Sequence, residues 1–378
     1  MASDLADWRA AAILKNANNG EERTVNVPRQ MRSYKLVQFG TRLSEIVESP
    51  PAPIGTQVLM RIRACGVCHS DIHLSEGHFD LGHGQKMDLS RGIQLPRILG
   101  HEIAGTVDEL GPEATGVSLG DKRVIFPWGG CGQCVLCRTG QEHLCARPRN
   151  HGLTLDGGYS NYVLVDHPKY LVPFDPLPEA FAATLACSGL TAFSALKKAE
   201  PIDKDHPLLV IGAGGLGLAA TGLARKLYGI DAIVADIDEA KRHAALEAGA
   251  SMAVDPADPE QGKRLLKETG GFAAAIDFVG AESTAEFGLA LLRKGGRLIV
   301  VGLFGGAINI SLPTLPIRGI GVIGSYVGSL TEFKELLALA QAGHLRRIPI
   351  ETRPLDAAQQ SLDDLRAGRV RGRLVLTP

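Results

Sequence analysis

An apolar run, Leu208 to Ile211, leads directly into Gly212-Ala-Gly214-Gly215-Leu216-Gly217 and then into a stretch of helix formers beginning near Leu216. No other feature constrains the fold as strongly. A strand that ends in Gly-x-Gly-x-x-Gly must turn tightly and let an anion approach its backbone. It then feeds a helix whose free N-terminal amides and dipole favour negative charge. Alone such a motif is a weak signal, and a second strand strengthens it. Ala232-Ile-Val-Ala-Asp236 puts a carboxylate nineteen positions after Gly217, where it can accept hydrogen bonds from an adenosine ribose and repel a 2′-phosphate. NAD is therefore expected over NADP, with Gly212, Gly214, Gly215, Leu216, Gly217, Asp236 and Lys241 as cofactor-binding residues. The other reading of Asp236, a cap for the helix that begins Asp238-Glu239-Ala240-Lys241, is compatible with the first.

Strand signals at 252–254, 274–279, 298–302 and 319–325 alternate with helical runs at 259–268 and 283–292, the pattern of a doubly wound parallel sheet. From Tyr34 to Phe126 the chain reads differently. Short alternating runs at 35–39, 57–63 and 103–107 are broken by Pro50-Pro51, Pro53-Ile54-Gly55 and Gly111-Pro112, as in a mostly antiparallel β domain. The stretch 76–96 reads as a long loop carrying His78 and His83, to which no metal is assigned. At the N-terminus, Leu5, Trp8, Ala12 and Ile13 form the apolar stripe of a short helix, and 16–23 reads as a loop. Asp4, Asp7, Glu21 and Glu22 argue against a transit peptide.

Two groups of residues have metal-ligand chemistry. Cys68 in Gly66-Val-Cys-His-Ser-Asp-Ile-His73, His101 in Gly100-His-Glu102 and the distant Cys187 offer two thiolates and an imidazole. Three protein ligands leave the fourth position of a zinc ion open, which marks a catalytic site. Ser70 supplies a hydroxyl two positions after Cys68, and Asp71 and His73 lie close enough to orient a ligand or relay a proton. Either short motif alone is more often an ordinary core or surface pair. Cys65 also makes a competing CxxC with Cys68, although a redox pair there leaves His101 and Cys187 unexplained. The second group, Cys131, Cys134, Cys137 and Cys145, closes a four-sulfur shell with no open position and reads as a structural zinc lobe. An iron–sulfur cluster is the alternative, but no other electron-transfer feature accompanies it.

The composition removes some functions. A formal net charge of −1 gives no basic face for nucleic acid, and the apolar runs fall short of a membrane span. Seven cysteines without a secretion signal suggest reduced thiols in the cytoplasm.

The segments GVCHSDIH and GHE resemble those of the zinc-dependent alcohol dehydrogenases of the medium-chain dehydrogenase/reductase superfamily, with similarity from about Met31 to the C-terminus. The resemblance implies an α/β chain with a GroES-like, mostly-β catalytic domain and a Rossmann domain. Their expected limits are an N-terminal extension at 1–30, the catalytic domain at 31–188 with its zinc lobe near 127–147, the NAD-binding domain at 189–324, and a return to the catalytic domain at 325–378. It selects Cys68 over Cys65 as ligand and sets Cys187 where sorbitol-type relatives carry Glu. It also makes Asp71 and Glu102 the carboxylates behind the metal, puts His69 at the cofactor pyrophosphate and Leu303 at the nicotinamide as a cofactor-binding residue, and lines the substrate pocket with Ser70, Trp128 and Leu303, although Trp128 can equally be plain core. Ser70 and His73 occupy the two protein positions of the family's proton path.

The implied reaction is reversible hydride transfer from an alcohol to NAD, giving an aldehyde or ketone. Two zinc ions per chain and a homo-oligomer, tetramer rather than dimer, are implied with it. The competing readings are an NADP-dependent aryl or cinnamyl-type enzyme, a polyol dehydrogenase, a zinc-scaffolded nucleic-acid binder and a non-catalytic NADH sensor.

Overall fold

The computed structural model describes residues 11–15, 22–26, 29–202, 205, 207–345, 349–370 and 372–378. Two sheets organise them. The first has six parallel strands in the order Met252–Val254, Ile233–Ala235, Leu209–Ile211, Phe272–Asp277, Leu292–Val300 and Gly321–Gly324. From the central strand Leu209–Ile211 the chain winds outward twice on one side, then returns to build the other side. The glycine loop therefore sits at the carboxyl end of that strand, at the point where strand order reverses and ligands of such sheets bind. The strand is fully buried, as a parallel sheet covered on both faces requires.

The second sheet has seven strands around Val58–Val67, which pairs antiparallel with Glu102–Leu110, Tyr162–Val165 and Arg373–Thr377. Because Leu374 pairs with Val67 and Glu102 with Gly66, the far C-terminus, the start of one strand and the end of another meet in a single layer beside Cys68. A helical run over Glu179–Lys198 joins the two halves, packing against both Val58–Val67 and the helix Gly215–Tyr228. By length and composition this run is apolar enough to cross a bilayer, which the sequence reading did not notice. Of its 18-residue apolar window 89% is buried inside the fold, so it serves as a core helix. One apolar core runs through both halves, from Phe126, Phe174 and Phe333 to Val210 and Ile276.

Two local expectations are corrected. The stretch 76–96 is not a plain loop, because after the helix His69–Glu76 it forms a hairpin of His78–Gly82 paired with Gln85–Asp88. Its strands lack an apolar alternation. What makes the hairpin is the reversal Gly82-His83-Gly84, all three at positive φ. At the N-terminus, Ala11–Lys15 is a strand paired antiparallel with Glu22–Asn26, not part of a helix. Ile13, Thr24 and Val25 favour the extended chain, and pairing overrides the helix preference of the alanines. Leu5, Trp8 and residues 16–21 lie outside the described residues.

The tightness of the glycine loop is directly testable. Gly212 has φ 94°, and a β-carbon at Gly217 would overlap the Gly212 carbonyl oxygen. Gly217→Ala is expected to cost about 1–3 kcal/mol, read as a lowered thermal unfolding midpoint of the full chain.

Candidate active site

Cys68 ends the strand Val58–Val67 and stands at the N-cap of the helix His69–Glu76. Asp71, in the first turn, is fully buried. Its Oδ2 accepts hydrogen bonds from Cys68 N at 3.0 Å and the Tyr159 hydroxyl at 2.9 Å, while its Oδ1 accepts from Gly100 N at 3.2 Å. His101 Nδ1 also approaches Oδ1 to 3.2 Å. Neither ring nitrogen of this buried histidine makes a hydrogen bond to a described residue, but a proton on Nδ1, facing the carboxylate, leaves Nε2 with a free lone pair.

Cys187 arrives from the other side on Leu185–Gly189, a π-helical turn inside the long core helix. Such turns recur at functional positions because the extra residue re-aims a side chain without breaking the helix. Its Sγ lies 4.0 Å from Cys68 Sγ. Ligand atoms of Cys68, His101, Glu102 and Cys187 all fall within 4.8 Å of one another, and all four residues are buried. The hydrogen bond from Cys187 holds the Cys68 thiol well below its usual range and pushes that of Cys187 up. Burial opposes charge on His101, yet Asp71 and Cys68 hold its pKa well above the ordinary value. Glu102 is pushed up to about 7 by burial, against the pull of Arg373. Two soft sulfurs, a free imidazole nitrogen and a buried carboxylate are a donor set that suits zinc.

The walls of the cluster are aromatic. Trp128 lies with its ring centroid 5.1 Å from that of His101 and donates its indole N–H to Ala186 O at 3.0 Å. Tyr326 meets Trp128 edge-on at 5.8 Å. Ser70 Oγ is 3.8 Å from Cys68 Sγ. One turn further along the helix His73 is half-buried, with its pKa lowered by burial.

In the cysteine lobe Sγ separations are 4.0 Å for Cys131 and Cys137, 3.5 Å for Cys134 and Cys137, and 3.8 Å for Cys134 and Cys145. Four sulfurs about 2.3 Å from a tetrahedral zinc ion stand about 3.8 Å apart. All seven cysteines are free. Backbone amides of Cys131, Cys137 and Arg147 point at these sulfurs and favour thiolates, and such amides hold Cys131 down at about 6.

At the glycine loop, Gly214 caps the helix Gly215–Tyr228, and the space where its side chain would stand is empty to 4 Å. Asp236 accepts from Ala213 N at 2.8 Å and Asp238 N at 2.9 Å, tying the second strand to the loop. The helix cap is Asp238, which accepts from Lys241 N at 3.1 Å, so the capping alternative for Asp236 is set aside. Leu216 is half-buried against the core, whereas His69, Lys241 and Leu303 are exposed. Although His69 is exposed at its edge, partial enclosure of its ring is the main cause that lowers its pKa, Cys68 opposes this, and the charges of Arg373 and Lys241 add to the lowering.

The chain matches the family described as the alcohol dehydrogenase GroES-like domain over residues 55–178, and the zinc-binding dehydrogenase family over residues 215–342. An NAD-dependent alcohol dehydrogenase of Saccharolobus solfataricus is 38% identical over 351 residues, covering 92% of this chain and 100% of the relative. One of Sulfurisphaera tokodaii is 39% identical over 352 residues, with the same shares of each chain covered. The crystal structure of AibC superposes with a TM-score of 0.82 at 31% identity, covering 93% of this chain and 96% of the other. The chain belongs to the zinc-type alcohol dehydrogenases of the medium-chain dehydrogenase/reductase superfamily.

In this dehydrogenase the sequence reading missed Arg373. Buried on the last strand, it donates from Nη2 to Glu102 Oε1 at 2.5 Å, and its Cδ passes 3.3 Å from where a β-carbon on Gly215 would stand. It thereby links the metal-type cluster to the glycine loop. Its only trace in the sequence is a basic residue at the start of an apolar strand, in a tail read as structural. Tyr159 was missed as well, and no sequence signal marks it, since its importance is the single bond to Asp71.

Tyr159→Phe removes one of the donors to a buried carboxylate. It is expected to cost about 1.5–3 kcal/mol, seen as a lower thermal midpoint with the far-UV spectrum unchanged.

Proposed function

We propose that this chain is an NAD-dependent zinc alcohol dehydrogenase, interconverting a small alcohol and its aldehyde or ketone, with one zinc ion held by Cys68, His101 and Cys187 and a second by Cys131, Cys134, Cys137 and Cys145. The observation that carries the reading is the meeting of two buried thiols with an imidazole nitrogen that has no partner among the described residues, at a point joined through Arg373 to the glycine loop. When bound, zinc favours the ionised form of an alcohol and NAD accepts its hydride.

The protein's own groups do the rest. Asp71 fixes the His101 ring so that Nε2 faces the two sulfurs. Trp128 excludes water from one side. Ser70, beside Cys68, takes the alcohol proton, and His73 passes it to solvent. Burial holds His73 below the ordinary histidine value, so the ring is neutral and able to accept a proton at pH 7. Gly212, Gly214, Gly215, Leu216 and Gly217, with the positive charges of Arg373 and Lys241, receive the pyrophosphate, assisted by His69. Asp236 receives the adenosine ribose, and Leu303 with Ser70 and Trp128 borders the substrate.

The domain division is read as 31–188 plus 325–378 for catalysis and 189–324 for cofactor, which the membership of the two sheets supports. A homo-oligomer, read as a tetramer, is supported by the open edge strand Gly321–Gly324 with Val322, Leu312 and Ile317 exposed near it. The cytoplasm is supported by seven cysteines free of disulfides.

Elemental analysis of the purified protein should find two zinc ions per chain. One equivalent, or iron with visible absorption, overturns the paired assignment. The unmodified enzyme should use NAD far better than NADP, and Asp236→Gly should narrow that gap by relieving repulsion of the 2′-phosphate. Equal use of both cofactors by the parent removes the ribose role of Asp236. His73→Gln should slow the pre-steady-state NADH burst at pH 7 by up to about 10²-fold, with partial rescue by small diffusible bases. A parental burst removes the relay role.

A further inference from the structure

The hairpin of His78–Gly82 and Gln85–Asp88 has no part in the reaction as described. It leaves the catalytic half directly after the helix carrying Ser70 and His73, and it touches the cofactor half. A β-carbon on Gly82 would stand 2.6 Å from the Gly306 carbonyl carbon and 2.8 Å from Ala307 N. One on Gly305 would stand 2.8 Å from Asp80 Cβ. Gly82, Gly305 and Gly306 have φ of 81°, 114° and 123°, which other residues avoid, so two backbones meet where only glycine allows it.

Both sides of this join are stiff. Asp80 Oδ1 accepts from Gly82 N at 2.7 Å. Opposite, Phe304 N donates to Val279 O and Gly305 N to Gly280 O, each at 3.1 Å. On the same hairpin strand Phe79 lays its ring against His73, with centroids 5.1 Å apart and planes at 47°. The His73 side chain makes no hydrogen bond to any described residue, which leaves this ring contact as a directional contact that the structure gives it.

We propose that Phe79 is a positioning residue for His73, and that its hairpin is keyed to the cofactor half through Gly82, Gly305 and Gly306, so that the ring is held over the proton path only when the two halves are in register. The inference rests on the relay role of His73 given above. An aromatic pair of this kind biases its partner's rotamer by about 3- to 10-fold. Without it, the imidazole samples orientations that face away from Ser70.

The test is a double-mutant cycle on the zinc-loaded enzyme, read as the NADH burst at pH 7. Phe79→Ala should slow the burst by about 3- to 10-fold in the parent and change it by less than about twofold in the His73→Gln background. Phe79→Tyr should restore the parental rate, and Phe79→Leu replaces the alanine variant if that one does not fold. Gly305→Ala, which pushes Asp80 and the hairpin away, should reproduce the Phe79→Ala defect. Equal slowing in both backgrounds, or none in the parent, overturns the positioning role, and a parental burst from Gly305→Ala overturns the keying. If His73→Gln itself leaves the burst unchanged, the relay reading falls first and the positioning role falls with it.

Discussion

Everything at this site hangs on one buried carboxylate. Asp71 draws the Cys68 amide, the Gly100 amide and the Tyr159 hydroxyl onto its two oxygens and holds the His101 ring within 3.2 Å. A carboxylate stripped of water is costly unless its lone pairs are filled, so the segments supplying these donors are held to fixed positions around it. Those segments carry Cys68 and His101, two of the three residues proposed above to hold zinc. The metal centre's geometry is thus set by a hydrogen-bond network before any metal is considered, as expected for ligands oriented by groups behind them.

Charge balance joins that centre to the cofactor loop. The cluster gathers two thiols and Glu102 in a space closed to water, with Arg373 as the buried cation beside them. Burial is the main cause that raises Glu102 to about 7, and the guanidinium is the main group opposing that rise. Arg373 also passes along Gly215, so one side chain touches both Glu102 and the loop. Such a bridge is strongly held only because both partners are buried. Exposed ion pairs elsewhere on the surface, such as Lys263 with Glu260, contribute little.

The long core helix solves a different problem. Cys187 faces Cys68 while its helix also packs against Gly215–Tyr228. The π-helical turn Leu185–Gly189, in a fully buried segment, carries Cys187 at the point where the helix serves both contacts. Ala186, next in line, accepts the Trp128 indole hydrogen bond, so the same turn also fixes the wall against His101.

By itself the sequence determined what local chemistry controls. Apolar strand, glycine turn and helix start were legible because only a parallel sheet with a tight βα turn uses that order, and Asp236 followed from the spacing to the next strand. The four-cysteine lobe was legible because its ligands are close in sequence, and Cys68 and His101 because their two short motifs, each weak alone, occur together in one chain. Only the tertiary structure decided what depends on strand register and on distant chain segments. Arg373 reached Glu102 through the pairing of Leu374 with Val67, and Tyr159 reached Asp71 across 88 positions. The hairpin at 78–88 went unread because three backbone conformations at positive φ make it, not an apolar pattern. The strand at 11–15 went unread because cross-strand hydrogen bonds with 22–26 outweigh the helix preference of its alanines. Local propensity speaks for a few residues at a time, and long-range pairing supplies the free energy that overrules it.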